Sequence, residues 1–588
     1  MNRREWLQTA AVSAPGLLGA ASLGCQRATP TLFADPIGQL ANGNERKADV
    51  VIIGGGLGGI AAALAVLRRG ATVILTEPSD WIGGQLTAQA VPPDEHRWIE
   101  SFGCTRSYRQ LREGIRSAYR QSTTRPLKPA LRAKRELNPG NGWVSRLCHE
   151  PKVALAVLEG MLAPYREKGQ LQLLLNWEAT GCDLGIDRIR AVQGIDLPSG
   201  KTTTLLGSVF LDATEQGDLL PLAKAEFVTG FESRKQTGEP RAPLQAQPTN
   251  LQGFTVCFAL EYCPGEDHTI DKPAEYDFWR NHVPKTNPPY LGKLLSWEHP
   301  NLPNRRYGFD PTSARTPEGP NLWTYRRILD ANQFQPGTLK GDVSIINWPQ
   351  NDYFLGALHA VPENEAEMHL ARARQLSLCV AYWLQTEAPR SDGKAGWKGL
   401  KLAGEYTGTR DGLAKMPYIR ESRRIQAEFT IVEQQIRKEL RRPFAKDGML
   451  SAEHFADSVG IGHYAMDLHP STFGNPNSYV EACPFQIPLG ALIPIRLENL
   501  LAAGKNLGVT HLTNGCYRLH PVEWNIGEAA GAVAVASLKA KVPPRQIRKQ
   551  LARLDEFQGD LRKDGFELEW PDSARLQPAE PAKPAAGG

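Results

Sequence analysis

Gly54, Gly56 and Gly59 stand in the spacing Gly-x-Gly-x-x-Gly. In that spacing the first glycine allows a sharp turn, the second lets backbone approach a pyrophosphate, and the third lets a helix pack close to a strand. The β-branched run Ala48–Ile53 leads straight into them and predicts a buried parallel strand. Ile60–Arg69, alanine-rich with Leu64 and Leu67 on one side, predicts the helix that follows, and Gly70 stops it. The free N–H groups and dipole at the start of that helix would face a diphosphate. Thr72–Thr76 predicts a second strand running into Glu77, 21 residues past Gly56. An acid there accepts both hydroxyls of an adenosine ribose and repels a 2′-phosphate. Strand, glycines, helix, strand and acid, in that order, predict a dinucleotide cradle.

Three further blocks bear on which dinucleotide it holds. Trp81–Thr87 places the doublet Gly83-Gly84 and then Gln85 just after the acid. Val209–Thr214 (Val-Phe-Leu-Asp-Ala-Thr) follows alternating runs at Leu171–Ala179, Arg188–Leu197 and Lys201–Leu206 that predict a small β-meander. Asn499–Asn506 is an apolar strand containing Gly504, and Asn525–Gly531 opens a small-residue helix running to Leu538. On these residues the sequence resembles the large family of FAD-dependent oxidoreductases of the glutathione-reductase and succinate-dehydrogenase type. Ile346–Tyr353 and Pro417–Arg424 resemble a bacterial subfamily of it. The resemblance implies FAD as cofactor and an α/β fold, a Rossmann-like three-layer domain with parallel sheet and β-meander, carrying an inserted mixed α+β substrate domain. It implies cofactor contacts from Gly54, Gly56, Gly58, Gly59 and Glu77, from Gly84, Gln85 and Asp212, and from Gly504, Gly527 and Glu528. Where the family has Ala-Thr-Gly, this chain has Ala213-Thr214-Glu215, which puts close backbone approach there in question.

By that resemblance the flavin supplies the redox chemistry, and protein groups bind substrate, take a proton and steady charge. Oxidising an alcohol or amine moves a hydride to the flavin while a base removes the O–H or N–H proton, and histidine is the natural base near neutral pH. His511, Arg518 and His520 lie between the flavin strand and the flavin helix. They are the expected catalytic residues, one imidazole as base and the guanidinium on a carboxylate or developing oxyanion; the alternative is a polar loop whose histidines only bond carbonyls. Asp467 and His469, ending the alternating run Gly462–His469, are expected to line the substrate. Arg420, Arg423 and Arg424 fall at i, i+3 and i+4, one face of a helix that would bind an anionic substrate or simply face solvent. Cys104 and Cys148 lack a partner at active-disulfide spacing, and Cys257 and Cys263 lack a second pair, so no metal centre is expected.

These groups must be positioned by a chain of 588 residues with 41% hydrophobic and 22% charged residues, far from the signature of disorder. A net charge of +5 from 68 basic and 63 acidic residues, with no basic stripe, argues against nucleic-acid binding. No apolar span of transmembrane length follows the N-terminus. Residues 1–25 carry Asn2-Arg3-Arg4-Glu5-Trp6-Leu7 before an uncharged stretch and resemble a twin-arginine export signal, which implies the export machinery as partner and a periplasmic destination. Ser22-Leu23-Gly24-Cys25 resembles a lipoprotein cleavage site, with Ser22 where an aliphatic residue is wanted. The expected layout is linker 26–47, FAD-binding segments 48–225 and 495–540, an inserted substrate domain 226–494, and a helix and disordered tail over 541–588. Hydride transfer from a small organic substrate, such as a sugar or polyol derivative, is the expected reaction, with the electron acceptor left open. A flavin-dependent lyase or isomerase and a non-catalytic flavin-binding protein are the rivals.

Overall fold

The computed structural model describes residues 44–577. The export-like signal and Cys25 lie outside the described residues. Val50–Ile53 (β2), Val73–Glu77 (β3), Leu171–Leu175 (β4), Val209–Asp212 (β8) and Leu500–Ala502 (β9) form a parallel sheet in the order β9-β8-β2-β3-β4. Val50 lies opposite both Val73 and Val209, and Leu500 opposite Phe210. Every residue of β2, β3 and β8 is buried, as expected for a parallel sheet covered on both faces. Strands from both ends of the chain therefore share one sheet, and their carboxyl ends open on a common crevice, the place where such folds bind ligands.

The meander is Trp177–Leu184 (β5), Ile189–Asp196 (β6) and Thr202–Leu206 (β7). Leu171–Leu175 belongs to the parallel sheet, not to the meander, and the chain turns between them at Asn176, whose φ is +52°. Glu45–Lys47 (β1), expected as linker, extends the meander by pairing parallel with β7.

Helix α1 (Leu57–Arg68) follows the glycine turn, and Gly70, at φ +87°, ends it. Its partner is a 21-residue helix, His520–Ala540, which begins several residues before the expected start at Asn525. The two helices cross at backbone contact. A Cβ on Gly527 would lie 1.9 Å from the Gly58 carbonyl oxygen, and one on Gly531 would lie 2.3 Å from that of Ala62. The segment after β9 contains the short helix His511–Tyr517 (α2), and His520–Ala540 is α3.

The segment 226–494 is not one body. A four-stranded antiparallel sheet (Arg327–Leu329, Val343–Ile346, Phe258–Tyr262, Leu400–Leu402) and the helix Glu363–Thr386 enclose a second core rich in tryptophan. Ser458–Gly462 and Phe485–Pro488 instead pair with each other and join the core of the FAD-binding domain. After α3 the chain forms two helices, Pro544–Lys549 and Leu551–Asp564. Disorder expected from about Ala574 does not begin there, because Ala574 is buried and Leu576 pairs with Leu450. Among the described residues no helix is long and apolar enough to cross a membrane.

Candidate active site

Two cavities lie on either side of the 416–420 segment. The first, at the carboxyl ends of the parallel strands, is lined by Gly54, Gly56, Glu77, Gly84, Trp177 and Glu215. Gly56 caps α1 without a side-chain bond, and no acid occupies the helix's own first turn, though the Glu523 carboxylate accepts the Gly58 N–H. Glu77 ends β3 as predicted. Its Oε2 accepts the Gly55 N–H at 3.1 Å, and its Oε1 accepts the Ser79 N–H and hydroxyl at 3.0 and 2.7 Å. Oε2 keeps a lone pair for a ribose hydroxyl.

Side-chain oxygens of Gln89, Glu215 and Gln216, all lining this cavity, are buried without a partner. Buried acceptors of this kind cost free energy until a donor meets them, and the hydroxyls and amines of FAD supply donors. The glycine turn, Glu77 and these acceptors fit FAD. Glu215 resolves the departure from the family pattern: its Oε1 lies 2.9 and 2.6 Å from where a Cβ on Gly56 and on Gly84 would stand, and its other oxygen pairs with Lys505. A tethered, flexible carboxylate therefore occupies the close-approach position.

Several residues expected to touch cofactor do other work. Cβ atoms on Gly58 and Gly59 would lie 1.8 and 2.0 Å from the carbonyl oxygens of Ala503 and Gly54, so both glycines serve packing, as does Gly527. Glu528 points to the opposite side of α3, accepting from Ser107 at 2.5 Å and pairing with Arg68 at 3.2 Å. Asp212 is buried on the Thr214 N–H and hydroxyl. Gln85 donates to the Arg518 carbonyl at 2.9 Å and to Glu523, linking the turn to α3. Gly504 faces Glu523, whose Oε1 is 3.7 Å from its Cβ position.

Burial pushes the carboxyls of Glu77, Asp212 and Glu239 up to about 7. In the unfolded chain these acids ionise near pH 4. Their contribution to stability is thus present at low pH and lost as pH rises through about 7. The thermal midpoint of the FAD-free protein should fall as pH rises from about 4.5 to about 7 and level off above that, and Glu77→Gln should shrink the fall.

The second cavity brings together Arg420, Asp467, His469 and Arg518, all four predicted as site residues. One segment lies between the cavities: Met416 and Pro417 face the first, and from Pro417 the sides alternate, Tyr418 and Arg420 facing the second and Ile419 the first. Tyr418 exchanges backbone bonds with Thr255, which fixes the segment. Here the helical reading of Arg420, Arg423 and Arg424 fails, because the backbone is extended through all three and pairs at Arg424 with Val228. Arg420 is 1% exposed and bonds Asp352 Oδ1 at 2.9 Å and Thr255 at 2.8 Å. Arg518 donates to the Tyr418 hydroxyl at 2.7 Å and to the Asp467 carbonyl at 3.0 Å.

The two expected bases sit elsewhere. His520, at the buried start of α3, has one ring nitrogen 3.0 Å from the Asp94 N–H and the other 3.2 Å from the Val91 carbonyl, and burial lowers its pKa to about 3. It holds the 91–94 loop as a neutral ring. His511 bonds Glu421 at 2.9 Å and stacks on Phe231, outside the walls of either cavity. Sequence reasoning missed Asp94, Arg326 and Asp352. Arg326 and Asp94 pair at 3.3 Å in the second cavity, 232 residues apart. Asp352 stands behind it, inside the Ile346–Tyr353 block whose polar residues among aromatics were the available signal. Away from both cavities, Cys263, Glu266 and His268 bring ligand-type atoms within 4.8 Å of one another, with Lys340 3.4 Å from Glu266.

A parallel sheet opening on a glycine-lined cradle, an acid at the end of its second strand and an adjoining polar cavity define a dinucleotide-dependent redox enzyme of the Rossmann-like class. Residues 49–561 match the family described as FAD dependent oxidoreductase. The chain belongs to that family, and its cofactor is FAD. Over 54 residues it is 39% identical to an FAD-dependent monooxygenase of Arthrinium sp, covering 9% of this chain and 13% of that protein. Among solved structures it is similar to E. coli quinol fumarate reductase (11% identity, 88% of this chain, 74% of that chain, TM-score 0.30). Another is the L-proline dehydrogenase of P. horikoshii (18% identity, 32% and 24%, TM-score 0.17).

Proposed function

We propose that this flavoprotein oxidises a small hydroxylated molecule, a sugar or polyol derivative, held in the second cavity. The observation that carries this reading is a set of unsatisfied donors. Arg326 Nε, Arg420 Nε, Arg518 Nε, Asn347 Nδ2 and Trp348 Nε1 are all buried without a partner in residues that line that cavity. A ligand dense in oxygen acceptors satisfies them, and each left unmet costs about 1–3 kcal/mol. On the inner wall each of the three guanidiniums has a carboxylate, Asp94, Asp352 and Asp467 at 3.3, 2.9 and 3.8 Å, while Arg305, Arg306 and Glu318 line the rest of the cavity. Tyr325, Tyr418 and Tyr464 have pKa values raised by burial and remain neutral phenols, able to donate to hydroxyl oxygens and to pack against C–H faces.

FAD, when bound, accepts the hydride. The chain's own residues seat the adenosine ribose on Glu77, place the 416–420 segment along both cavities, and orient the substrate hydroxyls on Arg326, Asn347 and Arg518. The test is anaerobic mixing of the FAD-loaded protein with glucose, galactose, mannose, xylose, sorbitol and inositol. Stoichiometric bleaching of the flavin by at least one of them, with the matching carbonyl product, is expected. Absence of bleaching by all six would overturn the reading.

A further inference from the structure

Resting on that reading, we infer that His469 is the base that takes the substrate's hydroxyl proton, and that Asp352 positions it. His469 follows the strand Met466–Leu468 and lines the second cavity. Its Nδ1 lies 2.6 Å from Asp352 Oδ2, and its backbone N–H donates to Gln252 at 3.2 Å, so ring and backbone are both fixed. The imidazole is 18% exposed and Asp352 is not exposed at all; the pair runs from the cavity wall into the interior.

Asp352 is in turn locked. Its Oδ1 accepts the Thr255 hydroxyl at 2.5 Å and Arg420 Nη2 at 2.9 Å. Burial pushes its carboxyl up, but Arg420, His469 and Thr255 more than offset this and hold it well below the usual carboxylate range. A permanent carboxylate on Nδ1 keeps the proton there and leaves the Nε2 lone pair for the cavity, the tautomer a base needs. Nε2 faces Asp467 Oδ2 at 3.5 Å, a long contact to a carboxylate that also lies 3.8 Å from Arg518.

The groups facing the imidazole come from four segments. They are Asp352, Asp467 on the ring's own strand, Arg420 from the segment between the cavities, and Arg518 ahead of α3; Tyr290 and Tyr307 lie near Asp352. The carboxylates that flank the ring can hold the imidazolium that forms. The cavity's other histidine, His299, accepts two backbone N–H groups on Nδ1 and has no carboxylate partner among its hydrogen bonds.

In the reaction the substrate O–H proton goes to Nε2 while the carbinol C–H bond breaks, its hydrogen leaving with the electron pair to FAD. A C=O bond forms; the carbon is oxidised by two electrons and FAD is reduced by two.

The first experiment measures the anaerobic rate of flavin bleaching, with the fastest-bleaching compound of the six as probe. His469→Gln should keep the bound-flavin spectrum, bleach about 10²–10⁴-fold more slowly, the range for a positioned base, and alter the pH profile of the rate. His469→Ala should be partly rescued by added imidazole. A His469→Gln rate within about threefold of wild type, with the pH profile unchanged, would overturn the inference. The second experiment needs no turnover. In FAD-loaded protein reduced beforehand with dithionite, diethyl pyrocarbonate should modify His469, as mapped by peptide mass spectrometry, and each of the six compounds that binds should protect it. An unreactive His469, or one reacting equally with and without a bound compound, would also overturn the inference. If none of the six bleaches the flavin or protects His469, the proposed function fails; bleaching with an indifferent His469 refutes the base alone.

Discussion

Replacing Gly56 by valine should give a folded, colourless protein. Gly56 has φ −64°, which valine adopts freely, and a Cβ there would point at the Glu215 carboxylate, 2.9 Å away, with the Ala213 carbonyl at 3.8 Å. The added side chain therefore enters the cradle and leaves the frame alone. Neighbouring glycines behave differently: Gly54 has φ +105° and a Cβ position 2.3 Å from the Ala213 carbonyl oxygen, so a side chain there disrupts the fold itself. Gly56→Val should lower FAD affinity by at least about 100-fold, roughly 3 kcal/mol. Titration of the apoprotein with FAD measures this, and the thermal midpoint of the FAD-free variant should match that of FAD-free wild type.

Arg424→Met should destabilise the protein by about 3–5 kcal/mol, the cost of stranding buried charge. Arg424 is fully buried; it donates to Glu421, Glu232 and the carbonyls of Gly230 and Val509. Burial alone would push Glu421 up, but His511 and Arg424 bring its carboxyl down to about 2. Removing the guanidinium leaves two carboxylates in the interior with no arginine, held only by His511, whose ring bonds Glu421 and whose backbone N–H bonds Glu232, and by the Gln252 N–H on Glu421. Denaturant unfolding should show the loss. Adding Glu232→Gln and Glu421→Gln should recover part of it, because the penalty lies in the unpaired charges rather than in missing volume.

The cradle was legible in the sequence because its chemistry is local. A pyrophosphate must meet backbone at fixed spacing, so β2, the glycines, α1, β3 and Glu77 follow one another, and all fold as predicted. Glycines at such a turn have two uses, however, and the sequence does not separate Gly56, which faces the cavity, from Gly58 and Gly527, which face each other. The second cavity was only partly legible. Asp467, His469 and Arg518 stand among other polar residues and drew notice, but each acquires its meaning from a distant partner: Asp352 is 117 residues from His469, and Glu421 is 90 from His511. The i, i+3, i+4 spacing of the arginines suggested a helix; pairing of Tyr418 with Thr255 and of Arg424 with Val228 imposed extended backbone instead. Histidines near the flavin helix invited a catalytic role, and burial with both ring nitrogens engaged removed His520 from it.

The central claim is that the glycine-lined cradle and the Arg326–Asp352–His469 cavity serve one reaction. A determined structure of the FAD-loaded protein tests it most directly. The account predicts the diphosphate against Gly54–Gly56, the adenosine ribose on Glu77, and the reactive edge of the flavin opening onto the cavity that holds Arg518 and His469. A flavin ring sealed behind Tyr418, with no path to His469, would contradict it.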